Sequence, residues 1–186
     1  MMSQGLTLLL SATLIGAGAW AVRDDLLFHR ISNRLNGWLL CVGFSIRILG
    51  GGWHGLEQSL LGVLVGLACL LPFYVLRAMG AGDVKLLAAT GALLGPYDVW
   101  IAALCTLLIG AVLAVMYLAG GAVRAVVHAP AGSPWMMRMA FAQMRIQELR
   151  RERMPYALAI ALGSLAAIAQ SGELARALSL IWGTTA

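Results

Sequence analysis

Charge is scarce in this sequence. Only 11% of its 186 residues are Asp, Glu, Lys or Arg, while 61% are hydrophobic. That shortage excludes a soluble domain with an ordinary polar shell, and the mean hydropathy of +0.86 points the same way. A bilayer hides the apolar surface that water would reject. Cysteine is scarcer still: Cys41, Cys69 and Cys105 stand alone in apolar runs, with no C-x-x-C pair. This argues against zinc and disulfides and leaves the three thiols as small core residues. Acidic residues number 8 against 13 basic ones, for a formal net charge of +5. A basic surplus can serve nucleic acid, but here its placement follows membrane topology, so no nucleic-acid partner is expected. No repeat or low-complexity tract stands out.

What remains is a series of long apolar runs. Gly5–Val22 is uncharged and long enough to span. Its end, "AWA", resembles a signal-peptidase site, but no Lys or Arg precedes the run, so it reads as a retained span. Leu35–Gly52 is a second span, with Arg47 near one end, where it can snorkel to the headgroups. Ser59–Leu76 is a third, Val99–Val123 is long and uncharged, and Met154–Ser171 is the last. Between them Val84–Leu94 is apolar but too short to cross a ~30 Å hydrocarbon core alone. The expected fold is therefore an all-α polytopic membrane protein. It has six helices, the fourth short, in a single membrane domain over residues 1–186.

The connections alternate sides, and the basic residues choose one of them. All but Arg47 and Arg176 fall in Arg23–Arg34, Arg77–Lys85 or Arg124–Arg153. The positive-inside rule makes that side cytoplasmic and puts the N-terminus outside. Within the last of these loops, the turn-rich "HAPAGSP" precedes "WMMRMAFAQMRIQELRRER". At helical spacing Trp135, Met139, Ala142, Ile146 and Leu149 form one stripe, flanked by Arg138, Arg145 and Arg150. This pattern predicts a basic interfacial helix lying on anionic lipid, with the tail "ELARALSLIWGTTA" also at the interface.

Most acids fit segment ends or the basic loop. Asp24, Asp25 and Asp83 differ, because they stand at the cytoplasmic ends of helices, where ionisable groups are often functional. Asp83 lies in "GAGDVKLLAATGALLGP". Gly80 and Gly82 allow a sharp turn and a close approach, and Asp83 then opens the short helix. A helix cap explains Asp83 alone, and a loop acid balancing Arg23 and Arg30 explains Asp25 alone. Together they place two carboxylates on one side of the membrane, which is what a hydrolase using an acid pair requires. Such a pair shares a proton, and its titration belongs to both residues.

Three segments resemble the type IV prepilin peptidases. "DLLFHRISN" resembles their first signature, an Asp with Ile-Pro-Asn shortly after it. "GAGDVKLLAATGALLGP" resembles their Gly-x-Gly-Asp-x-Lys signature, and "MPYALAIALG" the Pro-Tyr segment that opens their final helix. The pieces stand in the family's order. The resemblance implies a six-helix aspartyl peptidase of the bacterial inner membrane with its site facing the cytoplasm. Such an enzyme removes the short basic leader of prepilins or pseudopilins, usually after a Gly. Carried over by position, Asp25 and Asp83 are the catalytic pair and Asp24 a bystander. Gly80 and Gly82 let Asp83 approach Asp25, and Asn33 belongs to the supporting set. Lys85 tunes the pair or meets substrate backbone, or else only marks the cytoplasmic side. Ser32 stands where the family usually has Pro. The N-terminal soluble insert with paired C-x-x-C motifs is missing, so the chain resembles the short, peptidase-only branch of Flp/Tad-type pili. The implied partners are a prepilin or pseudopilin, anionic lipids and the pilus or secretion assembly machinery, with no metal or organic cofactor. Rival readings are a presenilin-like G-x-G-D protease, a small transporter or channel using Asp25 and Asp83 as proton or cation sites, and a non-enzymatic assembly subunit.

Overall fold

The computed structural model describes residues 4–28, 31–127, 134–137, 139–140, 143–144 and 156–170. Its helices are α1 (Gln4–Phe28), α2 (Asn33–Val75), α3 (Ala81–Leu94), α4 (Pro96–Val127) and α5 (Ala157–Gln170). Among the described residues there is no strand. α2 and α4 are long and apolar enough to cross a membrane.

The second and third expected spans are the two arms of α2. They fold back on each other at Gly52, whose φ of 55° lies in the left-handed region that glycine enters without a Cβ penalty. The hairpin shows in what its arms touch. A Cβ on Gly43 would lie 2.9 Å from the Ala92 Cβ, and from the other arm the Ser59 hydroxyl donates to the Ala92 carbonyl at 2.6 Å. With α2 counted as two arms, the order reproduces the six expected segments.

α3 is the centre of the packing, with 11 of its 14 residues buried, from Asp83 to Leu94 except Lys85. Small residues allow this. Gly62 and Gly66 form a G-x-x-x-G pair on α2. A Cβ on Gly62 would collide with the Gly91 carbonyl, and one on Gly66 would come within 2.8 Å of the Leu87 carbonyl. Between helices already in lipid, where the hydrophobic effect no longer drives association, such close backbone contact supplies the attraction.

Length explains the other end of α3. Fourteen residues rise only about 21 Å, less than a ~30 Å hydrocarbon core, and the last carbonyls of such a helix need donors. Arg47 answers them: its Nε donates to the Leu93 carbonyl at 2.8 Å, and a terminal guanidinium nitrogen donates to that of Leu94. Arg47, expected near one end of its span, thus has partners within the protein. The fork of the guanidinium matches paired carbonyls, and its charge suits the negative end of the helix dipole. Gly95 follows at φ 87°, and Pro96 opens α4.

Other expectations need adjusting. α1 does not stop at Val22 but continues through Phe28, so Asp25 is a helical residue rather than a loop acid. Of the cysteines expected in the core, Cys41 is exposed, Cys105 is half-buried, and Cys69 is half-buried and packs against the core. Glycine, alanine and serine take the tightest positions. Trp135 and Met139 of the expected interfacial stripe are helical and exposed. Ala142, Ile146, Leu149, the flanking arginines and the C-terminal tail lie outside the described residues. The chain divides into two compact units, Met1–Ile109 with Pro155–Ala186, and Gly110–Met154. The features described below all belong to the first.

Candidate active site

Asp25 sits in the last turns of α1 and is 7% exposed, while Asp24 beside it is half-buried. The Asp25 carboxylate accepts a hydrogen bond from the backbone N–H of Ala157 at 3.0 Å. Ala157 is the first residue of α5, so its N–H is one of the donors a helix leaves open at its start. A carboxylate in that place is favoured by both the hydrogen bond and the helix dipole.

Asp83 lies in the first turn of α3 and is 9% exposed. Its carboxylate folds back to accept from the Gly80 N–H at 3.1 Å. A Cβ on Gly80 would stand 3.2 Å from that same oxygen, so glycine leaves the room the carboxylate occupies. The capping role weighed from sequence is thus present in the fold, and it orients the acid. The carboxylate also acts electrostatically on the phenol of Tyr156, the residue before Ala157. Asp25 thus touches the start of α5 directly, while Asp83 meets it only through the field at Tyr156. The three helices α1, α3 and α5 touch one another pairwise.

The turn between α1 and α2 joins the same assembly. A Cβ on Gly82 would lie 3.3 Å from the Ile31 Cβ, so Gly82 admits Ile31 onto the start of α3. The Lys85 ammonium donates to the Asn33 side-chain oxygen at 3.2 Å. Ile31 and Asn33 of the first motif thus each have a counterpart in the first turns of α3. Ser32 is the N-cap of α2, with φ −66° and ψ 129°, and its hydroxyl accepts from the Arg34 N–H at 3.3 Å. That φ is the one a proline ring imposes. The turn shape expected of a Pro is therefore kept, and the serine adds a cap that Pro lacks.

An apolar groove of about 630 Å³ opens between α1 and α5, running from Leu14 to Leu27 on α1, with Arg23 as the charged residue in its lining.

Sequence reasoning noted the Pro-Tyr segment but gave Tyr156 and Ala157 no role. The Ala157 donor is a backbone group brought in from a distant helix, and no side-chain signal marks it. Arg47 was legible in principle, because the last carbonyls of a buried helix need donors. Among the described residues no cluster of three or more His, Cys, Asp or Glu stands in a metal-binding arrangement.

The family model described as the type IV leader peptidase family matches residues 6–118. Neither a curated protein nor a solved structure matches the chain.

Proposed function

Because this chain belongs to the type IV leader peptidase family, we propose that it is a membrane aspartyl endopeptidase that removes the short basic leader of a prepilin or pseudopilin at the cytoplasmic face of the bacterial inner membrane. The catalytic groups in this reading are Asp25 and Asp83. Gly80 and Gly82 shape the approach, and Lys85 and Asn33 pin the first turn of α2 to the start of α3. The observation that carries it is the burial of both acids, Asp25 on the first N–H of α5 and Asp83 in the first turn of α3, in a chain matched by a peptidase family.

An acid pair of this kind works with one carboxyl ionised and the other protonated. The ionised one takes a proton from water as the water oxygen bonds to the scissile carbonyl carbon. The protonated one gives its proton to the carbonyl oxygen, and a tetrahedral diol forms. The diol then collapses as the C–N bond breaks. The amine leaves with the proton held by the first carboxyl, and a diol hydroxyl returns a proton to the second, which restores both groups. The substrate suits the setting: its apolar stem lies in lipid beside the enzyme, and its leader stays at the cytoplasmic surface. The bond between them then reaches the depth of helix ends such as those that carry Asp25 and Asp83. A glycine at the cut keeps that segment out of helix and open to attack. The basic loop after α4 is assigned to anionic lipid, and the product to a pilus or secretion assembly.

The test is to reconstitute the purified chain in liposomes with a leader-bearing substrate and weigh the products. The expected masses place one cut between the basic leader and the apolar stem. No cleavage, or cleavage within the stem, would remove this reading.

A further inference from the structure

The groove between α1 and α5 takes no part in the chemistry above. Its volume of about 630 Å³ lies within the ~300–1,000 Å³ of small-ligand sites. Small residues let its two walls meet: a Cβ on Gly18 would stand 3.2 Å from the Ala161 Cβ. Larger residues line it on either side of that contact, and Ile15, Leu26 and Leu27 of α1 and Leu162 of α5 are all exposed. The surface is concave and apolar. In a bilayer such a surface meets acyl chains rather than water.

One lining residue does not suit hydrocarbon. Arg23 is exposed, and among the described residues it has no ion-pair partner. It precedes Asp25 by two positions, which places it about 200° round α1 from the acid. Its charge therefore serves the groove rather than the pair of carboxylates. From Arg23 to Leu14 the helix rises about 14 Å, close to half of a ~30 Å hydrocarbon core. A groove of that length suits an occupant confined to one leaflet. The stem of a leader-bearing substrate crosses both leaflets and would overrun it. A phospholipid has the right parts in the right order, a tail reaching to the depth of Leu14 and a phosphate at the level of Arg23. A guanidinium fork matches phosphate oxygens, and basic positions between membrane helices suit anionic headgroups. No acidic residue lines the groove to hold the cation of a zwitterionic headgroup.

We infer that the α1–α5 groove binds one anionic phospholipid, its acyl chain laid along Gly18 and Ala161 and its phosphate held by Arg23. This site is separate from the basic loop after α4. The inference rests on α1 lying in the membrane and not on the peptidase reading. Its consequence for the acid is mechanical. Leu26 and Leu158 of the lining directly follow Asp25 and Ala157, so a lipid in the groove braces the seam that carries their hydrogen bond.

The test places the full-length protein in nanodiscs doped with a phospholipid that carries a photoreactive group in its acyl chain. The probe has either a phosphatidylglycerol or a phosphatidylcholine headgroup, and adducts are mapped by mass spectrometry. The phosphatidylglycerol probe is expected to mark residues 14–27 and 158–165 about fivefold more than the phosphatidylcholine probe. Arg23→Gln should lower that labelling to the phosphatidylcholine level, and Arg23→Lys should keep most of it. Arg34→Gln removes a like charge from the start of α2, outside the groove, and should change nothing there. Ala19→Leu fills the groove from its α1 wall and should lower labelling by both probes. Equal labelling by the two probes, or a loss in Arg34→Gln as large as that in Arg23→Gln, would overturn the inference. So would loss of the groove adducts when a leader-bearing substrate is added in excess, which would give the groove to the apolar stem. The readout is binding, so a protein that cleaves no leader would remove the peptidase reading while the adducts still decide this one.

Discussion

The carboxylate of Asp25, near the end of the first helix, is held at 3.0 Å by the backbone N–H of Ala157, which opens the last helix. This relationship separates the structural from the chemical role of the acid. In Asp25→Asn the side-chain oxygen still accepts from Ala157, so the variant should fold with nearly wild-type stability yet fail to activate water. Asp25→Ala should be inactive and also less stable, by about 1–3 kcal/mol, because the donor is left buried and open. Thermal unfolding in detergent, run beside a cleavage assay, distinguishes the two.

Arg47 gives a prediction about stability rather than chemistry. Arg47→Leu strands the Leu93 and Leu94 carbonyls in an apolar interior and should destabilise the protein by on the order of 3 kcal/mol. Arg47→Lys keeps the charge but not the fork and should fall between. Equal thermal midpoints for all three proteins would show that the end of α3 does not depend on Arg47.

The packing of α2 on α3 is open to a paired comparison. Gly62→Ala should destabilise by about 1–3 kcal/mol, since its methyl collides with the Gly91 carbonyl. Gly37 is on the same helix with nothing within 4 Å of a built Cβ, so Gly37→Ala should be neutral or slightly stabilising. Denaturation midpoints of the two variants check the contrast.

Ser32→Pro should be tolerated. The native φ of −66° fits the ring, and the entropy lost by the unfolded chain offsets part of the lost hydroxyl cap. A net change within about 1 kcal/mol and retained cleavage are expected. A collapse in activity would mean that the serine hydroxyl has a use beyond capping.

The apolar runs made most of this fold legible, because hydrocarbon imposes a length on every segment that crosses it. The two arms of α2 and the brevity of α3 could be read from hydropathy. The true end of α1 could not, since Arg23, Asp24 and Asp25 break the apolar run without breaking the helix. Cys41 was misplaced because apolar surroundings in sequence do not separate core from lipid-facing positions. In the site, the motif spacing singled out Asp25 over Asp24, and the structure buries Asp25 more deeply. The link from Asp25 to Ala157 joins residues far apart along the chain through a backbone atom, which no side-chain pattern records.

The central claim is that Asp25 and Asp83 act together on one peptide bond. It is tested most directly by measuring leader cleavage with wild type, Asp25→Ala, Asp83→Ala and Asp24→Ala in the same membranes at equal protein levels. The account predicts that the first two variants release no leader while Asp24→Ala cleaves at close to the wild-type rate. Cleavage by either the Asp25 or the Asp83 variant, or a dead Asp24 variant beside a live Asp25 one, would contradict it.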